Sequence, residues 1–242
     1  MVSLAARVRN VDPIHTPRAH FPGAAKVCGS RARFLMGVRE AYNQWAPTYD
    51  SDRNLTRDLD ELVTRSILAD MQCASILELG CGTGKNTAFL AQLGAHVHAL
   101  DFSDAMLAQA QAKLPHTHVT FTITDLMGPW PCADQSADLI VCNLVLEHIA
   151  DLHFIFAEAF RCLETGGHMF VCELHPFKQY LGIQAMFQRD QARIAIPAYV
   201  HHISSFLDAA AHAGFVLAEL KEWWHADDRE APPRLVSFLF EK

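Results

Sequence analysis

The hydrophobic pattern of the chain alternates between short apolar runs and stretches with helical spacing. Apolar runs predict strands at residues 76–79, 96–100, 119–123, 137–142, 168–173, 214–223 and 234–240. Helical spacing of apolar residues predicts helices at 56–71, 86–93, 103–113, 151–163 and 201–213. Such alternation predicts an α/β fold: a doubly wound, mostly parallel seven-stranded sheet with helices on both faces. We expect the last strand to be antiparallel and to form an edge.

Two segments next to the fifth predicted strand interrupt the alternation of predicted strands and helices. Gly166 and Gly167 precede that strand and predict a left-handed stop for the helix at 151–163. The segment at about 174–200 follows the strand and matches neither a core strand nor a plain helix. Because open α/β sheets bind ligands at the carboxyl ends of their strands, we expect this insertion to cover a substrate.

The most informative stretch is the predicted strand, turn and helix at residues 76–93. Glu78 is followed by Gly80, Gly82 and Gly84 at alternate positions. Glycines permit positive φ and close approach of a ligand, and the helix start that follows presents free N–H groups. This spacing differs from the dinucleotide fingerprint G-x-G-x-x-G and from the Walker phosphate loop. A carboxylate beside the turn would repel a pyrophosphate, so Glu78 favours a cationic ligand.

The pattern E-x-G-x-G-x-G resembles motif I of the class I S-adenosylmethionine-dependent methyltransferases, whose ligand carries a sulfonium and an ammonium. The resemblance covers roughly residues 40–240, and it implies a Rossmann-like methyltransferase fold, S-adenosylmethionine as cofactor and methyl transfer as activity. Asp101 ends the second predicted strand, where an acid in this fold class accepts hydrogen bonds from ribose hydroxyls. In the resembled family, an acid at the position of Asp125 bonds the adenine amino group and its neighbour packs on the ring. The predicted cofactor-binding residues are Tyr42, Glu78, Gly80, Gly82, Gly84, Asp101, Phe102, Met106, Asp125, Leu126 and Asn143.

Two further segments resemble parts of small-molecule methyltransferases. Residues 42–50 resemble a Y-x-x-x-A-x-x-Y-D segment that packs over the cofactor as a lid. Residues 146–149 read Leu-Glu-His-Ile and resemble the segment after the fourth strand of ubiquinone-type and related O- and C-methyltransferases. The N-P-P-Y box of amide and nucleobase N-methyltransferases is absent, because Asn143 is followed by Leu, Val and Leu. The predicted acceptor-binding residues are Tyr49, His148, Phe177, Tyr180, Tyr199 and His202.

A general base helps methyl transfer when the acceptor is a hydroxyl, and imidazole titrates near neutral pH. The candidates are His148, His175, His201 and His202, of which we favour His175 because it lies just past the fifth predicted strand. The aromatic residues of lid and cover predict an O- or C-nucleophile on an apolar or aromatic small molecule. Methyl-ester formation on a carrier-bound acyl substrate and a non-catalytic cofactor-binding scaffold are the alternatives. The glycine spacing and Glu78 disfavour a nicotinamide dehydrogenase.

Composition and charge indicate which binding partners and which cellular compartment the sequence favours. The net charge is −7, and residues 1–39 carry seven basic side chains against one acidic side chain, so the rest of the chain is strongly acidic. An acidic surface argues against a nucleic-acid partner. No apolar run reaches the length of a membrane-spanning helix. Seven cysteines without a C-x-x-C pair indicate buried thiols in a reducing compartment, the cytoplasm. The histidine pairs at 96/98 and 116/118 lack a further ligand, so no metal is predicted.

Residues 1–35 mix prolines, glycines and arginines without apolar periodicity. This predicts a disordered arm before a methyltransferase domain at residues 36–242. The Arg-rich, acid-poor composition also resembles a transit peptide. A third interpretation takes Met36 as the natural start of the protein. The sequence leaves these alternatives, and the oligomeric state, open.

Overall fold

The computed structural model describes residues 36–115, 118–189 and 192–242, without the side chain of Ala95. The arm predicted at residues 1–35 and His116 therefore lie outside the described residues. In the described part of the chain, no helix is long and apolar enough to cross a bilayer. The same residues contain no cluster of three or more His, Cys, Asp or Glu side chains arranged to hold a metal ion.

Seven strands form one sheet in the order β3-β2-β1-β4-β5-β9-β8, and β6 and β7 form a separate hairpin. The strands are β1 (Cys73–Leu79), β2 (Gly94–Asp101), β3 (Val119–Ile123), β4 (Ala137–Asn143), β5 (Leu163–Leu174), β6 (Met186–Arg189), β7 (Ala192–Ala195), β8 (Val216–Trp223) and β9 (Leu235–Glu241). Strands β1 to β5 are parallel, whereas β9 is antiparallel to both β5 and β8. The order reverses between β1 and β4, so the connections leaving their carboxyl ends diverge and open a crevice.

The helices follow the predicted alternation, and several begin at a recognisable cap. They are α1 (Val38–Trp45), α2 (Leu55–Leu68), α3 (Thr87–Leu93), α4 (Asp104–Lys113), α5 (Leu152–Cys162), α6 (Pro176–Tyr180) and α7 (Ile203–Ala213). Asn54 caps α2 by accepting hydrogen bonds from two backbone N–H groups of its first turn, and Ser103 caps α4 in the same way through the N–H of Met106. Gly214 ends α7 in the left-handed region with a φ of +105°.

Apolar side chains cover both faces of the sheet. On one face, Phe156 of α5 packs edge-on against Phe240 of β9, and Phe206 of α7 stacks on Phe238 of the same strand. On the other face, α2 and α3 contribute the fully buried Leu68 and Leu90 to a second cluster. This two-sided burial confirms the doubly wound α/β architecture predicted from the sequence.

Two predictions about the second half of the sheet are wrong. Helix α5 ends at Cys162 and β5 begins at the next residue, so Gly166 lies inside β5 with a φ of +80° and does not end the helix. The predicted edge strand, β9, instead lies between β5 and β8, and β8 forms the edge. Burial explains the position of β9: Phe238 and Phe240 are at most 1% exposed, as the interior of a sheet requires.

The insertion after β5 has secondary structure of its own, namely α6 and the β6–β7 hairpin. Phe187 of β6 stacks on Trp45 of α1, with ring centroids 5.9 Å apart and an interplanar angle of 22°. Ile196, just after the hairpin, is fully buried in the same cluster. The hairpin and α1 therefore share one apolar interface.

Candidate active site

The glycine turn after β1 is positioned by contacts that differ at each glycine. All three glycines have positive φ, +70° at Gly80, +53° at Gly82 and +81° at Gly84. A Cβ at Gly80 would lie 2.2 Å from a methyl group of Val145, so a side chain there would push away the loop after β4. A Cβ at Gly84 would press on Ala110 of α4 at 3.0 Å, whereas a Cβ at Gly82 would meet nothing within 4 Å. Gly82 therefore faces open space.

A cavity of about 460 Å³, the main cavity, occupies that space at the carboxyl ends of the strands. All but two of the predicted cofactor-binding residues line it, namely Tyr42, Gly80, Gly82, Asp101, Phe102, Met106, Asp125, Leu126 and Asn143. The exceptions are Glu78 and Gly84. Thr124 Oγ1 and Asn143 Oδ1 are buried in its wall without a hydrogen-bond partner. Unpaired buried polar atoms around a glycine cradle fit a polar ligand.

Asp101, at the end of β2, is the best-anchored acid of the main cavity. One carboxylate oxygen accepts a hydrogen bond from the backbone N–H of Gly82 at 2.8 Å, and the other accepts one from Ser103 at 2.8 Å. Burial raises the pKa of Asp101, and these backbone hydrogen bonds oppose the rise. Each oxygen keeps acceptor capacity, so the carboxylate can also receive two ligand hydroxyls.

Glu78 lies in the wall of a smaller cavity of about 60 Å³, the small cavity, which shares Gly80, Gly82 and Asn143 with the main cavity. The Glu78 carboxyl accepts a hydrogen bond from the hydroxyl of Thr87, and burial raises its pKa to about 8. A carboxyl that is neutral at pH 7 only because it is desolvated ionises when a cation binds beside it.

The turn after β4 is held in a strained conformation by a second buried acid. Leu144 has a φ of +57°, which a side-chain-bearing residue rarely adopts. One oxygen of Glu173, on β5, accepts hydrogen bonds from the N–H groups of Val145 and Leu146, both at 2.9 Å. Leu144 lines both the main and the small cavity. The strain therefore lies where the two cavities meet.

A third space, the side cavity of about 230 Å³, shares Tyr42, Tyr49 and Leu144 with the main cavity. The rest of its wall combines aromatic, aliphatic, polar and charged side chains. They come from α1, α2 and its cap, the segment after β4, the insertion and the segment before β9: Trp45, Asn54, Leu55, Thr56, Arg57, Glu147, Leu174, Ile183, Gln184, Ala185, Met186 and Arg234. Tyr42 and Tyr49 thus separate two compartments of different size and chemistry.

His148 presents a basic nitrogen to Tyr42 at this boundary. Tyr42 Oη and His148 Nε2 are 2.8 Å apart, and His148 Nδ1 lies 2.8 Å from the carbonyl oxygen of Pro197. A carbonyl only accepts, so Nδ1 carries the proton and Nε2 accepts from the Tyr42 hydroxyl. Burial lowers the pKa of His148, which keeps the imidazole neutral.

His175, the base favoured from the sequence, lies away from all three cavities. Its ring is 1% exposed; Nε2 lies 2.9 Å from a Glu222 carboxylate oxygen, and Nδ1 accepts the backbone N–H of Phe177. It therefore caps α6 and pairs with β8. The proline after it is the first residue of α6.

The predicted acceptor residues of the insertion lie on its outer surface. Phe177, Tyr180 and Tyr199 are between 51% and 56% exposed, and His202 is exposed and hydrogen-bonded to the Tyr180 hydroxyl. None of them lines the main, the small or the side cavity, whereas Tyr49 and His148 do. The structure therefore brings together only part of the predicted acceptor site.

Sequence reasoning missed Arg57, which lines both the small and the side cavity. It is buried, its guanidinium donates to the backbone carbonyls of Tyr49 and Asp52, and it stacks over the Tyr49 ring at 3.9 Å. Arg57 falls on the polar side of an ordinary helix pattern, so nothing in the sequence marks it.

Comparison with known proteins matches residues 77–171 to the methyltransferase domain family. An uncharacterised methyltransferase of Emericella nidulans is 28% identical, covering 87% of this chain and 86% of that protein. A demethylmenaquinone methyltransferase of Tropheryma whipplei is 27% identical, covering 79% of each chain. A malonyl-[acyl-carrier protein] O-methyltransferase of Erwinia billingiae is 31% identical, covering 73% of this chain and 66% of that protein.

Solved structures show the same fold. An S-adenosylmethionine-dependent methyltransferase from Mesorhizobium loti superposes with a TM-score of 0.64 at 21% identity, covering 74% of this chain and 96% of that chain. The N-methyltransferase NodS from Bradyrhizobium japonicum, in complex with S-adenosylhomocysteine, superposes with a TM-score of 0.63 at 16% identity, covering 85% of this chain and 98% of that chain. The glycine turn, the main cavity and these similarities agree, and the chain belongs to the class I S-adenosylmethionine-dependent methyltransferases, with S-adenosylmethionine as its cofactor.

Proposed function

We propose that the protein methylates an O- or C-nucleophile on an apolar or aromatic small molecule that binds in the side cavity. The relatives are named for different acceptors, so their names do not decide the acceptor. One part of the wall of the side cavity supports an apolar or aromatic one, because Tyr42, Trp45 and Tyr49 line it together with aliphatic residues of the insertion. Aromatic side chains of this kind supply large contact areas for flat, apolar ligands.

The main cavity would hold the cofactor with the residues predicted from the sequence. Asp101 would accept the ribose hydroxyls, Asp125 and Leu126 would hold the adenine, and the turn at Gly80 and Gly82 would carry the methionine portion. When bound, S-adenosylmethionine supplies a methyl group already activated by its sulfonium. Positioning by the chain then does most of the catalytic work.

The observation that carries this proposal is the hydrogen bond between Tyr42 and His148 at the boundary of the two cavities. Nε2 of His148 would take the proton of the acceptor hydroxyl, directly or through the Tyr42 hydroxyl, as the acceptor oxygen gains the methyl group. The Pro197 carbonyl keeps Nδ1 protonated and the ring fixed, so the resulting imidazolium remains hydrogen-bonded on both sides.

The test compares His148→Asn with His175→Asn on a panel of phenols, quinols and hydroxy acids, following S-adenosylhomocysteine formation. We expect His148→Asn to lower kcat about 10²- to 10⁴-fold, the usual contribution of a general base, with little change in S-adenosylhomocysteine affinity. His175→Asn should lower Tm and leave kcat near that of the parent. Undiminished kcat in His148→Asn would refute the proposed base.

The product identifies the reaction class. Methyl transfer to oxygen or carbon of the acceptor gives an ether or a C-methyl compound, both of which resist mild alkali. Formation of a carboxyl methyl ester, the alternative, gives an alkali-labile product and needs no base. Release of methanol from the product by mild alkali would therefore favour that alternative.

A further inference from the structure

The side cavity carries more positive charge than its carboxylates balance. Arg57 is 9% exposed, and its guanidinium donates to two backbone carbonyls, which supply hydrogen bonds but no charge. Among the described residues, no carboxylate lies within 4 Å of it. The nearby carboxylates hydrogen-bond other groups: Asp50, whose pKa Arg57 helps to lower, pairs with Lys113, Asp52 accepts from Trp45, and Asp60 accepts from Asn86 and Asn143. A buried guanidinium without a carboxylate partner is costly unless a ligand supplies one.

A second guanidinium lines the same cavity and shares its counter-charge. Arg234 donates through Nε and Nη2 to one oxygen of Asp228, at 2.9 and 2.6 Å. Lys178 donates to that same oxygen at 3.0 Å. One partly buried carboxylate thus serves two cations, and within the described residues the remaining terminal nitrogen of Arg234 donates only to the hydroxyl of Thr56.

Glu147 supplies an independent indication of a polar ligand. It is 6% exposed, lines the side cavity, and its Oε2 has no hydrogen-bond partner. An unsatisfied buried oxygen costs folding free energy, which a ligand atom would recover. Burial raises the pKa of Glu147 to about 7 against the opposing hydrogen bond of Gln179, so near neutral pH much of it is protonated and can donate to an anion. Its other oxygen, Oε1, lies 3.8 Å from Nε2 of His148.

We infer that the side cavity binds a carboxylate group of the methyl acceptor, with Arg57 and Arg234 supplying the positive charge and Glu147 Oε2 a further hydrogen bond. This rests on the proposed function, since it takes the side cavity as the acceptor site. The acceptor is then an acid that also carries a hydroxyl or an acidic C–H directed toward Tyr42 and His148. The carboxylate anchors the molecule and is not the atom that gains the methyl group.

The test is calorimetric binding to the full chain saturated with S-adenosylhomocysteine. The probes are 4-hydroxybenzoate and its neutral match, 4-hydroxybenzamide. The acid should bind at least about tenfold more tightly than the amide, as expected for hydrogen bonds to a charged group. Its affinity should fall from pH 6 to pH 8, as Glu147 ionises. Equal binding of acid and amide, or no binding of the acid, would overturn the inference.

Matched variants identify the residues responsible. Arg234→Gln and Arg57→Gln should each weaken acid binding about tenfold to a hundredfold without affecting the amide. Exposed arginines nearby, Arg229 and Arg53, provide Arg→Gln controls that should change neither. If Arg57→Gln weakens S-adenosylhomocysteine but not the acid, Arg57 serves the cofactor and its part in the inference falls. His148→Asn should retain acid binding, so a failure of the proposed carboxylate site can be told apart from a failure of the proposed base.

Discussion

Replacement of Asp101 by Asn tests the cofactor site most directly. The side chain keeps its size, but the negative charge is lost and one of the two acceptor oxygens becomes an NH₂ donor. Both oxygens already accept a backbone N–H, from Gly82 and from Ser103. Whichever way the amide turns, its NH₂ group faces one of these donors. The variant therefore loses a cofactor contact together with one of two backbone anchors, at Gly82 of the glycine turn or at Ser103.

The two losses have separate magnitudes. A hydrogen bond to a charged group contributes about 1.5–3 kcal/mol, so losing the ribose contact should weaken S-adenosylhomocysteine binding about tenfold to a hundredfold. An unsatisfied buried N–H costs about 1–3 kcal/mol of folding free energy, which should lower Tm. The exposed Asp104, at the start of α4, gives a matched Asp→Asn control that should show neither effect.

A ligand-based cycle separates the ribose contact from any change in the turn. Calorimetry would compare S-adenosylhomocysteine with its 2′- and 3′-deoxyribose analogues on the parent protein and on Asp101→Asn. If Asp101 receives those hydroxyls, removing them should cost the parent protein affinity and cost the variant almost nothing. The assignment would be refuted if the affinity losses from the substitution and from the missing hydroxyls simply add. An unchanged affinity of Asp101→Asn for S-adenosylhomocysteine would also refute it.

Three further outcomes are expected. Gly82→Val should abolish cofactor binding in calorimetry by projecting a branched side chain into the main cavity, whereas Gly166→Val, equally strained and equally open, should not. S-adenosylmethionine binding at pH 7 should release protons, because a cation lowers the raised pKa of Glu78. The affinity for S-adenosylmethionine should therefore rise from pH 6 to pH 8. Calorimetry in buffers of different ionisation enthalpy measures the proton release, which should be absent in Glu78→Gln. Hydrogen exchange at residues 176–199 should slow when cofactor and acceptor are both bound, and less with cofactor alone.

Local patterns predicted the parts of the structure that depend on neighbours in sequence. The alternation of apolar runs and helical spacing gave the sheet and its helices, and the glycine spacing predicted three positive φ values within five residues. The cap at Ser103 was equally local. The position of β9 depended instead on pairing with β5 across a long connection, and the burial of its two phenylalanines was not visible in a short window.

The sequence does not show in which direction a side chain points, and this limited the prediction of the site. His148 and His175 both follow the carboxyl end of a strand, but only the three-dimensional structure shows that Pro197 fixes one ring at the cavity boundary and Glu222 holds the other away from it. Arg57 was missed for a related reason. The carbonyls that bind it come from the loop before α2, and no residue type or spacing reports such a contact.

The shared interface of α1 and the β6–β7 hairpin has a consequence for the order of events in turnover. Tyr42 and Val38 of α1 line the main cavity, while Met186 of the hairpin lines the side cavity. Phe187 and Trp45 join these two walls in one stacked contact. If α1 and the hairpin separate to release one ligand, the wall around the other ligand therefore loosens as well. Exchange of spent cofactor and exchange of product become linked steps, which predicts a sequential kinetic mechanism in which both ligands must be bound before methyl transfer.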